Sequence, residues 1–384
     1  MDQTNGSGKS GAGIRTRDIA LCLLCEAPGV PYYEGLVDKL YGVPGEWNWL
    51  RCPACGLFWL NPRPVPEDTD KLYERYHTHA AEVRPLLPPR AGPASPRSSG
   101  RRAILAVRFG YAPPNLTKTA AAMGRFLSAV PSFRDRAGRE VLWLRKKPRG
   151  RLLEIGCGNG EFLGGMRARG WDVVGVEPDP VANASARRRF GLDVLRDPIE
   201  EARFEAASFD AIAMNNVIEH LENPVRTLGE CARLLRKGGE LVIVTPNVES
   251  LGHRVFGRAW RGLEQPRHFF LFSLRTLKAA FRSAAAGAPG QAWGSASAAL
   301  ARDYKLRASG EPLARPLADL KIEIARTTAT GSRYIWRASR SLRRGPKGEG
   351  RLDEWESRLF SFFERGLAAV GPFGEEIVLI ARKK

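Results

Sequence analysis

Long apolar runs are missing from this chain of 384 residues. No stretch approaches the roughly eighteen consecutive apolar residues that cross a bilayer, so the sequence predicts no transmembrane helix. The N-terminus is polar and lacks the apolar core of a signal peptide, and we therefore expect a cytoplasmic protein. Gly6-Ser-Gly-Lys-Ser10 is not a phosphate loop, because Gln3 stands where that motif needs glycine and no strand precedes it. We expect residues 1–20 to form a disordered tail.

Acidic residues are scarce relative to basic ones. The chain has 41 Asp and Glu against 60 Lys and Arg, a formal net charge of +19. Such a balance is compatible with a nucleic-acid partner or an anionic membrane. The charges are scattered along the chain, which favours an arginine-rich background composition. We therefore do not expect nucleic-acid binding, and peripheral contact with the inner face of the membrane stays open.

Cysteine is also rare, and four of the six cysteines form two C-x-x-C pairs. Cys22 and Cys25 precede Cys52 and Cys55, and two such knuckles can present four thiolates tetrahedrally, as in a structural zinc ribbon. Without a secretion signal, disulfides are the less expected use of these thiols. The sequence predicts a zinc ribbon over residues 21–66, and a ribbon without metal is the alternative. Four protein ligands would leave no open coordination position, so the metal would be structural.

A glycine-rich turn follows the apolar run that ends at Ile155. Glycines at 156, 158 and 160 allow positive φ values and the close approach of a ligand before a helix begins. The run 173–176 predicts the neighbouring strand. Glu177 comes directly after it, where a carboxylate can accept hydrogen bonds from both ribose hydroxyls of an adenosine.

The third glycine of a dinucleotide-binding loop is absent, because position 161 is Glu. Glu154 would repel a phosphate, but it suits a ligand that carries an ammonium or sulfonium group. The segment Glu154-Ile-Gly-Cys-Gly-Asn-Gly160 resembles the first motif of class I S-adenosylmethionine-dependent methyltransferases, and Glu177 matches their ribose-binding acid. The resemblance implies S-adenosylmethionine as the cofactor.

Three further segments extend the resemblance. Ser208–Pro224 and Arg233–Asn247 resemble the F-D-x-I/V…V-x-E-H and L-K-P-G-G-x-L-x-I-x-x-P segments of the same class. The second cysteine knuckle runs into Asn61-Pro-Arg-Pro64, as in a bacterial methyltransferase group with an N-terminal zinc ribbon. In that group a helix with a tyrosine pair, here Tyr73 and Tyr76, covers cofactor or substrate. Gln265–Leu277 resembles the P-R-H-x-x-x-F-S-x-x-T-L stretch of that group.

The resemblance implies an α/β fold. We expect a Rossmann-like sheet in the order 3-2-1-4-5-7-6, with the last strand antiparallel, a small N-terminal zinc ribbon and helical additions. A helical cap and flexible linker, with Phe126 among its buried residues, would occupy 67–147. The methyltransferase domain would occupy 148–384, with an insertion at about 284–318. An amphipathic helix over 351–370 would pack Trp355, Leu359, Phe362 and Phe363 on the core, or else form a dimer surface or rest on anionic lipid.

The cofactor would contact residues from four loops at the sheet edge. Asp197 and Ile199 are candidates for the adenine, and Asn215 and Asn216 for the methionine portion. The full set predicted to bind the cofactor is Glu154, Gly156, Cys157, Gly158, Gly160, Glu177, Pro178, Asp197, Ile199, Asn215 and Asn216.

Two histidines are candidates for catalysis. His220 could serve as the general base for a substrate hydroxyl, or the Glu219–His220 pair could order the loop. Arg267 and His268 could hold an acidic or hydroxylated substrate, or pack the loop. Quinone O-methyltransferases that resemble this region carry an acid three positions before the Glu-His pair, where this chain has Asn216. This difference argues against a mechanism that depends on a divalent metal.

The combined interpretation is O- or C-methylation of a small-molecule, sugar, lipid or polysaccharide-precursor acceptor. A nucleic-acid methyltransferase is one alternative, although the N/D-P-P-Y/F motif of base aminomethyltransferases is absent. A non-catalytic binding module that keeps the cofactor fold is the other. The intact glycine loop and Glu177 argue against it.

Overall fold

The structure is a computed structural model. It describes residues 13–74, 96–147, 150–285, 320–329, 332–344 and 351–384. Tyr76 and nearly all of the predicted insertion lie outside these ranges.

The N-terminal unit is a small antiparallel β structure. Strand β1 (Thr16–Arg17) pairs with β5 (Arg63–Pro64), while β2 (Val30–Leu36), β3 (Trp47–Arg51) and β4 (Phe58–Asn61) form consecutive antiparallel neighbours. Trp47, Trp49 and Trp59 are fully buried in this unit. A 3₁₀ helix over Pro66–Leu72 closes it.

The predicted disordered tail extends too far along the chain. Residues 13–20 are ordered, because β1 pairs with β5 and the Arg15 guanidinium donates to the Asp68 carboxylate over 3.0 Å. The Ile19 amide also donates to the Asn61 side chain. These contacts extend the unit to the first described residues.

Three helices follow: α1 (Pro96–Phe109), α2 (Lys118–Ala129) and α3 (Pro131–Glu140). These helices lie within the region 67–147 that was predicted to hold a helical cap and a flexible linker. Phe126 was expected to be buried and is instead 76% exposed. Helix α2 turns Gly124 towards α1, where an added Cβ would lie 2.5 Å from the Ala103 carbonyl oxygen, and this close approach points Phe126 outwards.

A seven-stranded sheet forms the main domain. Its strands are β6 (Arg151–Ile155), β7 (Asp172–Val176), β8 (Asp193–Leu195), β9 (Phe209–Asn215), β10 (Leu235–Pro246), β12 (Leu320–Thr328) and β13 (Glu376–Lys383). The spatial order is β12-β13-β10-β9-β6-β7-β8, and β13 runs antiparallel to both of its neighbours. Numbered along the chain, this is the order 3-2-1-4-5-7-6 that the sequence predicts, with a mixed Rossmann-like sheet.

Helices cover both faces of this sheet. They are α4 (Glu161–Arg167), α5 (Pro180–Phe190), α6 (Pro224–Leu234), α7 (Leu251–Phe256), α8 (Leu274–Ala285), α9 (Ser332–Arg344) and α10 (Arg351–Val370). Ser273 caps α8 by accepting a hydrogen bond from the Thr276 amide, as predicted. The middle of β10 is apolar and fully buried, from Leu241 to Val244, as expected for a strand with helices on both sides.

The main domain contributes one strand to the four-stranded sheet of the N-terminal unit. Strand β11 (Phe270–Leu271) belongs to the main domain by sequence, but it pairs antiparallel with β4, giving the four-stranded order β11-β4-β3-β2. The buried Arg63 guanidinium stacks over the Phe270 ring at 4.5 Å from its centroid. The ribbon is therefore continuous with the segment that leads to α8.

Helix α10 has the predicted bounds, but its apolar face is turned to solvent instead of to the core. Trp355, Leu359, Phe362 and Phe363 are exposed rather than packed on the core, and Trp355 and Phe362 are 62% and 72% accessible. The side chains turned inwards are Ser357, Phe360, Ser361 and Glu364. Among the described residues, no helix is long and apolar enough to span a bilayer.

Candidate functional site

The predicted cofactor residues gather at one edge of the sheet. Ile155 lies beside Val176 on one side and Met214 on the other, and all three strands run parallel. Their carboxyl ends therefore open onto the same edge, where ligands bind in open α/β sheets. The glycine turn, Glu177 and Asn215 follow these strands directly.

The glycine turn and Glu177 are joined by a direct hydrogen bond. The Gly158 amide donates to Glu177 Oε2 over 2.7 Å, and the Asp179 amide donates to Oε1 over 3.0 Å. Gly158 has a φ of +53° and no described atom within 4 Å of where a Cβ would lie. The turn thus exposes bare backbone beside the Glu177 carboxylate.

Gly160 has a different role from Gly158. It also has a positive φ, +80°, but an added Cβ would lie 2.5 Å from Leu192 and 2.8 Å from Ala186. Its missing side chain lets α4 pack closely against α5. Of these two glycines, Gly158 faces open space and Gly160 faces the protein.

Glu154 is buried in the sheet with an incomplete set of partners. It is 3% exposed, and its Oε2 has no hydrogen-bond partner among the described residues. Burial raises its pKa well above the usual range, and the nearby Glu177 raises it further. A buried carboxyl without a counter-charge favours the binding of a cation beside it.

The end of β9 brings two asparagine side chains, Asn215 and Asn216, to the same edge. Asn215 is half-buried, and its Oδ1 lacks a hydrogen-bond partner within the described ranges. Asn216 is exposed and left-handed, with a φ of +55°, and its amide donates to the Val244 carbonyl. Asn215 therefore offers an unused acceptor to a ligand.

The remaining predicted cofactor residues lie in the neighbouring loops. Asp197 is exposed in the turn after β8, whereas Ile199 is buried. Pro178 is exposed beside Glu177, and Cys157 is buried against Gly175, with its Sγ 2.6 Å from where a Cβ on that glycine would lie. Cys157 thus fills the space between turn and sheet, and its role towards a ligand stays a prediction.

His220 sits on a short 3₁₀ helix, Ile218–His220, just beyond this edge. Its Nδ1 lies 3.0 Å from the Tyr73 hydroxyl and 3.0 Å from the Arg267 carbonyl oxygen. A carbonyl can only accept, so Nδ1 carries the proton and Nε2 keeps its lone pair. Burial lowers the pKa of His220 below 6.5, which keeps the ring neutral near pH 7. Tyr73 thus contacts His220, and its role in covering cofactor or substrate stays a prediction beside simple packing between ribbon and main domain.

His268 packs edge-on against His220. The ring centroids are 4.7 Å apart, and His268 Nδ1 donates to the Gly262 carbonyl over 2.9 Å. Burial lowers the pKa of His268 to about 3, so it is neutral. The two rings form an imidazole pair in which His268 is buried and His220 half-buried, each with Nδ1 directed at a backbone carbonyl.

Glu219 completes a group of three polar side chains. One ligand-type atom from each of Glu219, His220 and His268 lies within 4.8 Å of the others. Glu219 Oε2 accepts from the Thr245 hydroxyl over 2.8 Å, while Oε1 has no hydrogen-bond partner in the described chain. Burial raises the pKa of Glu219 to about 8, so the carboxyl holds a proton at neutral pH.

Arg267 does not face a substrate, contrary to one expectation for it. It is fully buried and forms a two-pronged ion pair with Asp38, with nitrogen–oxygen distances of 2.8 and 3.0 Å. Glu264 lies 3.4 Å from its Nε and also pairs with Arg261. Asp38 and Glu264 were not singled out in the sequence, because isolated acids in loops carry no pattern.

The four ribbon cysteines form a compact cluster. Cys22 Sγ lies 3.5 Å from Cys55 Sγ, and Cys25 Sγ lies 3.3 Å from Cys52 Sγ. All four sulfurs lie within 4.8 Å of one another. These separations are far longer than the roughly 2.05 Å of a disulfide bond. They are close to the roughly 3.8 Å edge that follows from four zinc–sulfur bonds of about 2.3 Å.

Comparison with known proteins finds a match for part of the main domain. Residues 127–285 match the family model described as a methyltransferase domain. This part of the chain is therefore similar to a methyltransferase domain. The match includes Glu154, Glu177, His220 and His268, whereas the cysteine cluster and helix α10 lie outside it.

Two of the relatives are named methyltransferases and a third is named a carboxymethyltransferase, and their names differ in the substrate. A ubiquinone biosynthesis O-methyltransferase of Hahella chejuensis is 36% identical over 26% of this chain and 44% of its own length. A probable S-adenosylmethionine-dependent methyltransferase of Mycobacterium tuberculosis is 35% identical over 28% of this chain and 41% of its own length. A tRNA U34 carboxymethyltransferase of a Geobacter species is 32% identical over 33% of this chain and 42% of its own length.

The chain therefore spans less than half of the length of each of these relatives. The prediction of S-adenosylmethionine as cofactor is supported at the level of the family. The acceptor is not common to the relatives' names.

Proposed function

We propose that this chain transfers a methyl group from S-adenosylmethionine to an oxygen or carbon of a small-molecule, sugar, lipid or polysaccharide-precursor acceptor. The observation that carries the proposal is the bond from the Gly158 amide to Glu177 Oε2 beside the open face of Gly158. A carboxylate in that position can accept from both ribose hydroxyls.

Two buried polar atoms without a hydrogen-bond partner, on Glu154 and Asn215, suit the rest of the cofactor. Glu154 supplies an uncompensated buried carboxyl, which suits a ligand with a positive charge, and Asn215 supplies an unused acceptor at the end of the next strand. The proposed cofactor residues are those predicted from the sequence. Bound S-adenosylmethionine would supply an electrophilic methyl group on a sulfonium.

His220 is the proposed base for a hydroxyl acceptor. Its Nε2 keeps a lone pair, because Nδ1–H is directed to the Arg267 carbonyl. His268, packed against the ring, and Tyr73, over its Nδ1, hold the imidazole in place. Nε2 would take the hydroxyl proton while the acceptor oxygen gains the methyl group, the methyl–sulfur bond breaks and S-adenosylhomocysteine leaves. The chain otherwise positions the reactants and excludes water.

Substitution of Glu177 tests the cofactor site. We expect Glu177→Ala to weaken binding of S-adenosylhomocysteine and S-adenosylmethionine by roughly 1 to 3 kcal/mol, because charge-assisted hydrogen bonds to the ribose are lost. Isothermal titration calorimetry measures the change directly. Asp172→Ala is the matched control, since Asp172 lies at the other end of the same strand and is exposed. Equal dissociation constants for Glu177→Ala and the unsubstituted chain would remove Glu177 from the site.

Substitution of His220 tests the proposed base. We expect His220→Asn to lower kcat by about 100-fold or more, in the range usual for loss of a general base. The rate of the unsubstituted enzyme should fall at acid pH with a midpoint below 6.5, because burial lowers the pKa of His220 and only the neutral ring accepts a proton. Transfer from radiolabelled cofactor, with hydroxylated quinols, glycans and lipid precursors screened as acceptors, provides the measurement.

The alternative role of the Glu219–His220 pair predicts a different result. If the pair only orders the loop, His220→Asn should weaken cofactor binding while the acid limb of the rate profile persists. Cofactor affinity of the variant, measured by calorimetry, separates the two roles.

We also infer that the cysteine cluster holds one structural zinc ion. Cys22, Cys25, Cys52 and Cys55 provide four sulfurs at separations that suit tetrahedral coordination. The amides of Leu24 and Cys55 point at the sulfurs of Cys22 and Cys52, which helps to stabilise thiolate charge. With four protein ligands the ion would shape the ribbon and take no part in methyl transfer.

A further inference from the structure

Helix α10 presents its apolar face to solvent and its polar face to the protein. Trp355, Phe362 and Phe363 are all more than half exposed. Ser357, Ser361 and Glu364, on the opposite face, are almost completely buried. A helix that only completed a core would face the other way, because apolar side chains gain most from burial.

The inward polar face is held by specific contacts, so the orientation is fixed. Glu364 Oε1 accepts from the Glu375 amide over 2.7 Å. Phe360 stacks on Trp336 of α9 at a centroid distance of 4.3 Å, and Arg340 of α9 pairs with Glu356. Turning α10 over would break these contacts. The exposed apolar face is thus a stable feature of the fold.

Arginines accompany this face. Helices α9 and α10 together carry eight arginines and four acidic residues, and α9 has no acidic residue. Arg358 and Arg365 lie along one border of the apolar face, and both are exposed. Of the acidic residues, Glu364 is buried and Glu356 is paired with Arg340. The surface therefore combines aromatic side chains with a positive border.

We propose that this face of α10 docks on an anionic lipid bilayer. Aromatic and leucine side chains entering the interface, with arginines at the level of the headgroups, are the features of a helix that lies on a membrane. A second copy of the chain would bring two arginine-bordered surfaces together across a two-fold interface, and it is the competing outcome of the test below.

Helices α9 and α10 join the sheet at the edge where the proposed cofactor site lies. Helices α9 and α10 lie between the end of β12 and the start of β13, where Thr328 pairs with Glu376 and Glu376 pairs with Pro246. Pro246 ends β10 at the carboxyl edge. Ser339 of α9 also accepts from the Arg261 amide, near the His268 segment. A membrane at α10 would thus lie towards the edge at which an acceptor enters.

Vesicle binding by the full chain tests the proposal. We expect it to sediment with vesicles of equal parts phosphatidylglycerol and phosphatidylcholine, more weakly at high salt, and not with phosphatidylcholine alone. Trp355→Ser combined with Phe362→Ser should lower the vesicle partition coefficient at least tenfold. Arg358→Glu combined with Arg365→Glu, both at exposed positions, should also reduce binding.

The matched control replaces two exposed aromatic residues elsewhere. Phe126→Ser combined with Phe133→Ser removes side chains that are 76% and 48% exposed on α2 and α3, and should leave vesicle binding unchanged. The proposal is overturned if the unsubstituted chain binds no anionic vesicles, or if the control pair loses binding as strongly. It is also overturned if light scattering shows a dimer that the Trp355 and Phe362 pair dissociates while no vesicles bind. Cofactor affinity should be the same in all these variants, so the outcome is independent of the proposed function.

Discussion

Replacing Cys52 with serine is expected to release the metal and unfold the ribbon. Cys52 is fully buried and lies 3.3 Å, sulfur to sulfur, from Cys25. Structural zinc contributes on the order of 10 kcal/mol of apparent binding free energy in small zinc domains, and most of that is folding free energy. We expect zinc content, measured by mass spectrometry of the metal, to fall from about one per chain to near zero. Limited proteolysis should then cut between β2 and β4.

Cysteines outside the cluster provide the control for this prediction. Cys231 is buried in α6, far along the sequence from the ribbon, so Cys231→Ala should retain the full zinc content. A chain that holds no metal before substitution, yet resists proteolysis in the ribbon, would contradict the zinc assignment and favour a ribbon without metal. Removal of zinc with a chelator should reproduce the proteolysis pattern of Cys52→Ser.

Replacing Asp38 with alanine is expected to destabilise the chain by about 3 to 5 kcal/mol, because it leaves the fully buried Arg267 guanidinium without its main counter-charge. Asp38 also accepts hydrogen bonds from the amides of Leu40, Tyr41 and Val43, and alanine loses these too. Urea denaturation followed by circular dichroism measures the loss. Asp70→Ala, at an exposed position, should cost less than about 0.5 kcal/mol.

A double variant separates the charge effect from the loss of shape. Asp38→Ala combined with Arg267→Leu removes both charges, and should therefore be more stable than Asp38→Ala alone. Equal stabilities of the single and double variants would mean that Arg267 is adequately neutralised by Glu264 and by the Tyr41 ring, 4.4 Å away. Because the Arg267 carbonyl accepts from His220, we also expect Asp38→Ala to disturb the site.

The elements with strong local signals are predictable from the sequence. The strand ending at Ile155 and the strand ending at Val176 were placed within one residue of their observed bounds, since buried parallel strands are short apolar runs between turn residues. Adjacent parallel strands put their carboxyl ends side by side. The proximity of Gly158 and Glu177 follows from that geometry alone.

The orientation of an amphipathic helix is less predictable. Periodicity shows which residues of α10 share a face, but it does not show which face turns inwards. Phe362 points outwards while Glu364, on the other face, is buried and accepts from the backbone amide of Glu375, just before β13, a partner without a sequence signature. The pairing of Asp38 with Arg267 is undetectable for the same reason, since 229 positions separate the two residues.

The ribbon and the main domain are not independent units, because strand β11 of the main domain pairs with strand β4 of the ribbon. Phe270 and Leu271 form an edge of the ribbon sheet, so deleting everything before residue 75 would uncover their unpaired amides and the aromatic surface beneath them. A shortened chain of that kind would invite edge-to-edge association. The two units therefore cannot be separated cleanly at their boundary. The ribbon and the main domain have to be produced as one chain, and exchanging the ribbon for another module would require a new partner strand for the segment after His268.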